Sequence, residues 1–495
     1  MAASEKTEPG YATPEEKDNQ LRPGDEETLT QNIHESSLVR KLDITLLPAL
    51  TLLYLLSFLD RSNVGNARIE GLATDLHMTG DQYLTGLTLY FIGYVLFEVP
   101  ANMVLKIWKP NLWLPTLTLV WGVVSTLMGV TQSRAGFYAV RFFLGVTEAG
   151  LFPGIVFYLS MWYKRNERQF RVALFFSAAS LAGAFGGILA WGIAHMKGVG
   201  GYNGWRWIFI LEGLLTVVVS AISYFFIHNY PNTARFLTDT ERDFIQKRLK
   251  DDSDATEDEK FNWNNVRKAF TDIKCYLYAF GFHTLSLPLY TLSLFLPSII
   301  KSLGYTSAQA QLMTIPPYAI AFILTIGWAI LSERLQLRAP IILASSSIAI
   351  IGYILLLTDH RPGVSYLGTI FAAAGIYPSV ALHLAWPANN VSGQTKRAIS
   401  TALQISIGNL GKFSGENYFP SSAVLGTQLY RTETAPRYYL GHSFALGYLI
   451  ANLAVTSGLW WVLKRENKRK EGITLAADHE TPWTGDEDPR WRFHV

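Results

Sequence analysis

The chain contains 495 residues, of which 16% are charged and 49% are hydrophobic, and its formal net charge is +3. Soluble globular proteins carry about 25% charged residues, so this chain is poor in charge although its apolar content is ordinary. The small net charge, without a basic recognition motif, argues against nucleic-acid binding. The single cysteine, Cys275, excludes an intramolecular disulfide framework and thiolate-metal chemistry, and no motif typical of an enzyme, a cofactor site or a metal site occurs.

Residues 1–43 are polar, and we interpret them as a disordered tail without a cleavable signal peptide. From Ile44 onwards, apolar segments of about 20 residues recur, and each is long enough to cross a hydrocarbon core of about 30 Å as a helix. The twelve predicted segments are 44–60, 83–104, 112–131, 136–162, 172–194, 206–227, 273–300, 312–332, 340–358, 364–387, 398–420 and 442–463. The sequence therefore predicts an all-α membrane protein with twelve transmembrane helices.

A polar segment, 228–272, separates the first six apolar segments from the last six and must lie in water. This layout predicts two six-helix bundles, over 44–227 and 273–463, followed by a polar tail over 464–495. Basic residues cluster before the first segment, between the fourth and fifth, between the tenth and eleventh, and after the last. Since basic residues favour the cytoplasmic side, we expect both termini and the central loop to be cytoplasmic.

Ionisable side chains inside the predicted segments are the main functional signal. Each costs about 2.5–3.5 kcal/mol or more at the membrane centre, so such residues usually face a cavity or a partner. The first segment ends in Asp60 and Arg61, and the fourth carries Arg141 and Glu148, seven residues apart on one helical face. The opposite directions of these two helices place Asp60, Arg61 and Arg141 at similar depth and Glu148 nearer the middle.

These four residues suggest a proton-coupled anion site. A partly buried carboxylate beside a guanidinium can bind and release a proton near neutral pH, because burial disfavours its charge and the cation favours it. We therefore interpret Asp60 and Glu148 as proton carriers, and Arg61 and Arg141 as anion-binding groups. The structural alternative is that Asp60 and Arg61 cap a helix at the membrane interface, whereas Arg141 and Glu148 form a fixed internal pair.

Other polar residues in the segments are candidates for lesser roles. The candidates for lining a substrate cavity are Asn63, Tyr377, His383, Gln404 and Asn409. Lys412 and Glu416 have the i,i+4 spacing of a local ion pair, and a stabilising role and a substrate contact both stay open. Glu98, near the inner end of the second segment, is interpreted as part of a cytoplasmic gate. Glu212 follows Trp205-Arg206-Trp207, which is typical of an aromatic anchor at a membrane interface.

Five stretches resemble motifs of a known family. They are Phe58-Leu-Asp-Arg-Ser-Asn-Val-Gly-Asn-Ala-Arg68, Phe97-Glu-Val-Pro-Ala-Asn102, Arg141-Phe-Phe-Leu-Gly-Val-Thr-Glu-Ala-Gly-Leu-Phe-Pro-Gly154, Gly204-Trp-Arg-Trp-Ile-Phe-Ile-Leu-Glu-Gly213 and Ala435-Pro-Arg-Tyr-Tyr-Leu-Gly-His442. Together they make the chain similar to the anion:cation symporter family of the major facilitator superfamily, especially its fungal allantoate, nicotinate and pantothenate permease branch. The resemblance implies the major facilitator fold, alternating access, and symport of a small organic anion with protons. It assigns coupling and anion binding to Asp60, Arg61, Arg141 and Glu148.

The chain departs from the superfamily pattern in two places. The usual Gly-x-x-x-Asp-Arg-x-Gly-Arg loop after the second helix is replaced by Lys106-Ile-Trp-Lys109-Pro-Asn, so we expect the cytoplasmic gate to use Glu98 together with Glu333 and Arg334. The eleventh helix carries Lys412-Phe-Ser-Gly-Glu416 where relatives usually have small and apolar residues. This pair is therefore a candidate determinant of specificity.

The sequence as a whole predicts a monomeric, multi-pass plasma-membrane transporter that imports a small carboxylate, such as nicotinate or another vitamin or nitrogen-source acid, with protons. Export of an acidic secondary metabolite by the same fold stays open as the alternative. The expected partners are the organic anion, protons and the lipid bilayer, and no cofactor, metal or nucleic acid is expected.

Overall fold

The structure is a computed structural model, and it describes residues 34–252, 263–359, 361–409, 422–474 and 485–495. The regular elements of these residues are helices. Ten of them are long and apolar enough to cross a membrane.

Twelve helices, labelled α1 to α12, correspond to the twelve predicted segments. The first six are α1 (Glu35–Ile69), α2 (Gly80–Ile107), α3 (Pro110–Gly129), α4 (Arg134–Ser160), α5 (Arg165–Ala194) and α6 (Gly204–Phe226). The last six are α7 (Ile273–Ser302), α8 (Ser307–Leu335), α9 (Ala339–Thr358), α10 (Pro362–Asn390), α11 (Gln394–Asn409) and α12 (Tyr439–Thr474). A short helix, Ser422–Leu429, lies between α11 and α12 in the chain. Only α2 and α11 are missing from the ten that pass the length and hydropathy test on the described residues.

The helices pack into two bundles. In the N-terminal bundle, α1 packs against α5, α2 against α4, and α3 against α6. In the C-terminal bundle, α9 packs against α10 and α12, and α7 against α11 and α12. Between the bundles, α1 contacts α7, and α5 contacts α8 and α10. Gly65 allows the close approach of α1 and α7, since a Cβ atom there would lie 2.5 Å from the carbonyl oxygen of Leu294.

Helix α1 is longer at both ends than its apolar segment, 44–60. It begins at Glu35 because charged residues near its start have partners elsewhere in the bundle: the Asp43 carboxylate accepts two hydrogen bonds from Arg171, at 2.6 and 2.7 Å. It continues to Ile69 because the polar residues after Asp60 are buried by other helices. Asp60 therefore lies inside a helix, and the interpretation of the Asp60–Arg61 pair as a helix cap is wrong.

One face of the molecule carries the start of α1 and the end of α12, and we call it the terminal face. The helix Asp239–Asp252 of the central segment lies there, and its Arg248 forms ion pairs with Glu35 of α1 and Glu167 of α5. The central segment 228–272 is thus partly helical and attached to the N-terminal bundle.

Residues 485–495, which we call the C-terminal strap, lie against the C-terminal bundle. The His494 carbonyl oxygen accepts hydrogen bonds from Trp386 Nε1 at 2.9 Å and Asn390 Nδ2 at 2.8 Å, both on α10. Trp491 and Phe493 are buried in an apolar cluster with side chains of α7, α9, α10 and α12. This segment, expected from the sequence only as a polar tail, is a packed part of the bundle.

The opposite face is closed by contacts between the bundles. Lys301 Nζ of α7 and Ser307 Oγ of α8 each donate to the carbonyl oxygen of Ile69 at the end of α1, at 3.1 Å. Gln311 Nε2 donates to Glu70 Oε1 at 3.0 Å. The loops that follow α1 and α7 are therefore joined at this face.

Candidate functional site

Glu148 is the centre of a buried polar cluster in the N-terminal bundle. Its Oε1 atom accepts a hydrogen bond from Arg61 Nη2 at 2.7 Å and another from the Ser57 hydroxyl, and its Oε2 atom accepts one from the Tyr90 hydroxyl at 2.6 Å. Glu148 is 1% exposed. A buried carboxylate is stable only when its oxygens are paired in this way. Glu148 therefore joins α4 to α1 and α2 through one side chain.

The sequence positions these groups through helical spacing and one close approach. Ser57 and Arg61 are four residues apart and lie on one face of α1. Gly145 lets α4 approach α2, because a Cβ atom there would lie 2.0 Å from the backbone oxygen of Tyr90. The Tyr90 side chain can then reach Glu148, one helical turn further along α4.

Arg61 is enclosed by aromatic rings. Its guanidinium carbon lies 5.5 Å from the ring centre of Phe58, 5.6 Å from Tyr90, 5.4 Å from Tyr94 and 5.9 Å from Tyr290. Such contacts stabilise a cation by about 0.5–2 kcal/mol each. Tyr290 belongs to α7, so this cationic site lies where the two bundles meet.

A cavity of about 20 Å³ lies beside Arg61, between the bundles. Seven of its lining residues are aromatic, and Arg61 is the charged residue among them. The lining residues are Tyr54, Phe58, Arg61, Tyr94, Phe152, Phe176, Phe282, Leu289, Tyr290, Val380, Leu384 and Ile405. This volume is close to what one water molecule needs, so the cavity must widen to admit an organic molecule.

Arg141 is a second buried cation near this cluster. It is 0% exposed, and its Nε, Nη1 and Nη2 atoms have no hydrogen-bond partner among the residues that the structure describes. Its guanidinium carbon lies 4.8 Å from the centre of the Tyr90 ring. Tyr90 is thus flanked by Arg61 and Arg141. Glu148 is bound by Arg61 and not by Arg141, so the expected fixed pair of Arg141 with Glu148 is absent from the described contacts.

Asp60 points away from Arg61 into the interior of the N-terminal bundle. Its carboxylate accepts hydrogen bonds from Trp121 Nε1 at 2.6 Å and Ser125 Oγ at 2.9 Å, both on α3. Consecutive residues of a helix point about 100° apart, which explains why two neighbours in sequence serve different clusters. Asp60 is 1% exposed and is held by neutral donors.

A third buried carboxylate, Glu212 of α6, lies near Asp60. Asn63 Nδ2 of α1 donates a hydrogen bond to Glu212 Oε2. Glu212 is 2% exposed and Asn63 is 0% exposed. Glu148, Asp60 and Glu212 therefore lie in two clusters: Glu148 with the cations and the cavity, and Asp60 with Glu212 among neutral partners.

The model of a protein family described as the Major Facilitator Superfamily matches residues 50–415. The chain belongs to the major facilitator superfamily. A curated relative, the MFS-type transporter cnsO of Penicillium expansum, is 35% identical over 94% of this chain and 92% of its own. The high-affinity nicotinic acid transporter of Saccharomyces cerevisiae is 33% identical over 89% of this chain and 80% of its own.

Solved structures agree on the fold of this major facilitator protein. A bacterial homologue of the human lysosomal transporter Spinster has a TM-score of 0.61 at 15% identity, covering 84% of this chain and 95% of its own. The proton:xylose symporter XylE has a TM-score of 0.61 at 14% identity, covering 84% of this chain and 96% of its own. The predicted fold of twelve helices in two bundles is confirmed, and the protein is a multi-pass membrane transporter and not an enzyme.

The remaining predicted substrate residues of the transporter are spread over different environments. The Tyr377 ring lies 6.4 Å from the ring of Phe58 in the other bundle, next to the cavity. His383 Nε2 instead lies 3.0 Å from the Tyr278 carbonyl oxygen of α7, and Gln404 Nε2 donates to the His383 carbonyl oxygen at 2.9 Å. His383 and Gln404 thus join helices of the C-terminal bundle and do not line the cavity.

The other predicted residues of the transporter do not belong to the cluster around Glu148. The side chain of Asn409 and the whole of Lys412 and Glu416 lie outside the described residues. Glu98 is buried in α2, and its charge acts on Tyr94 and Tyr290 beside the cavity. Glu333 is partly exposed and Arg334 exposed at the end of α8.

Five polar or aromatic partners in these clusters were missed from the sequence: Ser57, Tyr90, Tyr94, Trp121 and Ser125. Hydroxyl-bearing and aromatic side chains are common in membrane helices, so nothing in the sequence distinguished these five. Glu212 was different, because a carboxylate eight residues after the start of α6 carries the same burial cost that identified Glu148. The neighbouring Trp205 and Arg206 account for the mistaken interpretation of Glu212 as an interfacial residue: they bind Asp75 on the loop after α1, at 3.0 and 3.1 Å.

Proposed function

We propose that this major facilitator transporter carries a small organic anion together with protons by alternating access. The observation that supports this most strongly is the buried Arg61–Glu148 pair beside the cavity, with Arg141 nearby and without hydrogen-bond partners among the described residues. Glu148 binds one of the two guanidinium groups, that of Arg61, whereas no described hydrogen bond joins the other, that of Arg141, to a carboxylate. An anion would pair with Arg141.

The proposed coupling follows from competition for Arg61. A substrate carboxylate that binds Arg61 must displace Glu148 from its cation. A buried carboxylate without its cation is unfavourable, so Glu148 then binds a proton. Anion binding and proton binding therefore favour each other, and the coupling is reciprocal. Asp60 is proposed as a further proton carrier, held apart from the cations by its bonds to α3.

Arg141 is proposed as the second anion-binding group. Its donors have no partner in the described parts of the chain, and buried donors without partners cost about 1–3 kcal/mol each. A planar carboxylate could accept two parallel hydrogen bonds from such a guanidinium. Tyr90 lies between Arg61 and Arg141, so an anion bound at either cation acts on the same ring and on the hydroxyl that donates to Glu148.

Alternating access requires the contacts at the opposite face to break when the cavity opens there. Ile69, Glu70 and Lys301 hold that face closed in this structure. With the anion bound and Glu148 protonated, the two charges that enter cancel. This anion and this proton therefore cross together without moving net charge, whereas each uncompensated charge is worth about 2.3 kcal/mol for 100 mV.

For the substrate we propose a small carboxylate with a planar or apolar body, such as nicotinate. Aromatic rings around the cavity can stack against such a body while Arg61 binds its carboxylate. The relative named as a nicotinic acid transporter supports this choice. We further propose that the transporter acts as a monomer in the plasma membrane, with the terminal face in the cytoplasm, as the basic residues near that face favour.

Uptake of labelled nicotinate by yeast cells that lack their own nicotinate uptake tests the proposal. Accumulation should increase as the external pH falls, and Arg61→Ala should abolish it. Arg361→Ala is the matched control, because the Arg361 side chain is 80% exposed and pairs only locally with Asp359 in the described structure. Accumulation that is indifferent to the pH gradient, or unchanged in Arg61→Ala, would overturn the proposal. Exclusion of the acid from the cells would instead support the exporter.

A further inference from the structure

Glu212 and Asn63 form a polar pair that the coupling scheme above does not use. We propose that Glu212 is a further proton-coupling residue, whose protonated carboxyl group pairs with the Asn63 amide. This inference rests on the proposed proton-coupled function, and it adds a proton to those that Glu148 and Asp60 carry.

Two acceptor atoms in this pair lack a donor. Asn63 Nδ2 donates to Glu212 Oε2, but Glu212 Oε1 and Asn63 Oδ1 have no hydrogen-bond partner among the described residues. Both are buried, and both can only accept when Glu212 is ionised. Leaving two buried acceptors unpaired is unfavourable, because each has lost its hydrogen bonds to water without gaining a replacement.

One added proton would give both of these atoms a hydrogen bond. If a proton binds Oε1, Glu212 gains an O–H donor and its charge changes from −1 to 0. The Asn63 amide already faces the carboxyl group through Nδ2, and its own oxygen lies on the same planar group. The new O–H can then donate to Asn63 Oδ1, so that the acid and the amide are joined by two hydrogen bonds.

The surroundings also favour the neutral form. Helices α1, α3 and α5 pack against α6. Among the described residues, Asp60 on α1 is the ionisable group whose charge acts on Glu212, and a carboxylate there can only repel a second negative charge. Gly213, beside Glu212, packs directly against Thr126 of α3, and Gly186 of α5 packs beside Asn63. No cation in the described structure neutralises Glu212, and small residues leave little space for one.

The pair is connected with the proposed coupling residues through α1. Asp60 and Asn63 are three residues apart and lie on one side of this helix. Two carboxylates in a shared low-dielectric site are rarely both ionised, so the protonation of Glu212 and that of Asp60 depend on each other. A movement of α1 that breaks the contact of Asn63 with α6 would expose Glu212 without its partner and change its proton affinity.

Infrared spectroscopy of the purified full-length transporter in lipid tests the protonation directly, without substrate. The carbonyl band of a buried protonated carboxylic acid should be present in the wild type and missing in Glu212→Gln. Glu433→Gln, which changes an exposed carboxylate in the loop before α12, should keep the band. Asn63→Ala keeps Glu212 and should shift the band, so the assignment can be checked even if Glu212→Gln does not fold. A band that is unchanged in both Glu212→Gln and Asn63→Ala would overturn the proposal.

The coupling role needs a second readout. In proteoliposomes, the number of protons that enter with each nicotinate should fall by one in Glu212→Gln, whereas Glu433→Gln should match the wild type. An infrared band that depends on Glu212, combined with an unchanged proton ratio, would make Glu212 a fixed structural acid and contradict its coupling role. If the wild type carries nicotinate without protons, the proposed function fails, and the infrared result still decides the protonation of Glu212.

Discussion

Replacing Glu148 with glutamine isolates the competition between substrate and Glu148 for Arg61. Arg61 Nη2 lies 2.7 Å from Glu148 Oε1, and the two side chains are 6% and 0% exposed. Glutamine keeps the shape and an acceptor oxygen but removes the negative charge. The anion should then bind Arg61 without displacing a charged competitor.

The size of the effect follows from the change in hydrogen-bond type. A hydrogen bond that involves a charged group contributes about 1.5–3 kcal/mol. The ion pair of Arg61 with Glu148 belongs at the upper end of this range and the bond of Arg61 with an uncharged glutamine at the lower end, because charge on both partners strengthens the bond. The glutamine should therefore hold Arg61 less strongly by about 1–1.5 kcal/mol. Since 1.4 kcal/mol corresponds to a factor of ten, the affinity for the anion should increase about tenfold. The dependence of binding on pH should disappear at the same time.

Two assays check this prediction on Glu148→Gln, with Glu433→Gln as the control. Equilibrium binding of nicotinate to the purified protein should show the tighter, pH-independent dissociation constant. In cells, pH-driven accumulation should be lost while exchange of labelled for unlabelled nicotinate persists, since exchange needs no net proton movement. Weaker binding in Glu148→Gln, or accumulation that still follows the pH gradient, would refute the competition.

Three further predictions concern other parts of the molecule. Arg141→Met removes a buried cation without described hydrogen bonds, so the Tm of the variant should equal or exceed that of the wild type. Nicotinate binding should weaken at least tenfold. A large fall in Tm would show instead that Arg141 has a structural partner. Deleting the C-terminal strap removes two buried aromatic side chains, and the burial of each contributes about 1.5–3 kcal/mol to the free energy of unfolding. The Tm should therefore fall clearly, and an unchanged Tm would mean that the strap does not stabilise the bundle. Burial of Asp272 opposes its ionisation, but Lys274 and Lys396 outweigh this effect and lower its pKa. Because a lowered carboxyl pKa stabilises the folded state above the unfolded pKa, this contribution is lost as the pH falls below about 4, and Asp272→Asn should flatten the acid side of the Tm-against-pH curve.

The number and type of the helices could be predicted because hydropathy reports burial in lipid directly. The ends of the helices were harder to predict, as α1 illustrates. Asp43 interrupts the apolar pattern, yet it lies within the helix because Arg171 pairs with it. Arg171 lies 128 positions after Asp43, so the sequence does not show that the two side chains pair. A polar residue whose partner is so distant is easily mistaken for a loop residue.

The candidate site could be predicted in its ionisable residues but not in its pairing. The cost of charge in a membrane selected Asp60, Arg61, Arg141 and Glu148. Which of them meet depends on the rotation of each helix about its axis and on the separation of α1, α2 and α4, and neither can be derived from spacing alone. The structure places Arg61 on Glu148 and leaves Asp60 with α3, whereas sequence neighbours suggested Asp60 with Arg61 and Arg141 with Glu148.

The contribution of the second bundle was the least predictable part. Tyr290 contacts Arg61 from α7, more than 200 positions along the chain, and no motif connects the two. His383 and Gln404 were chosen as polar residues of the C-terminal segments, but their hydrogen bonds run to backbone atoms within that bundle. Polarity alone does not separate a side chain that lines a cavity from one that joins two helices.

The most direct test of the account is proton uptake by the purified transporter when an anion binds. Nicotinate added to the protein in a weakly buffered solution should raise the pH of that solution, because displacement of Glu148 from Arg61 makes Glu148 bind a proton. The pH change should be absent in Glu148→Gln although that variant binds nicotinate. Binding of nicotinate to the wild type without proton uptake, at any pH at which Glu148 starts ionised, would contradict the account.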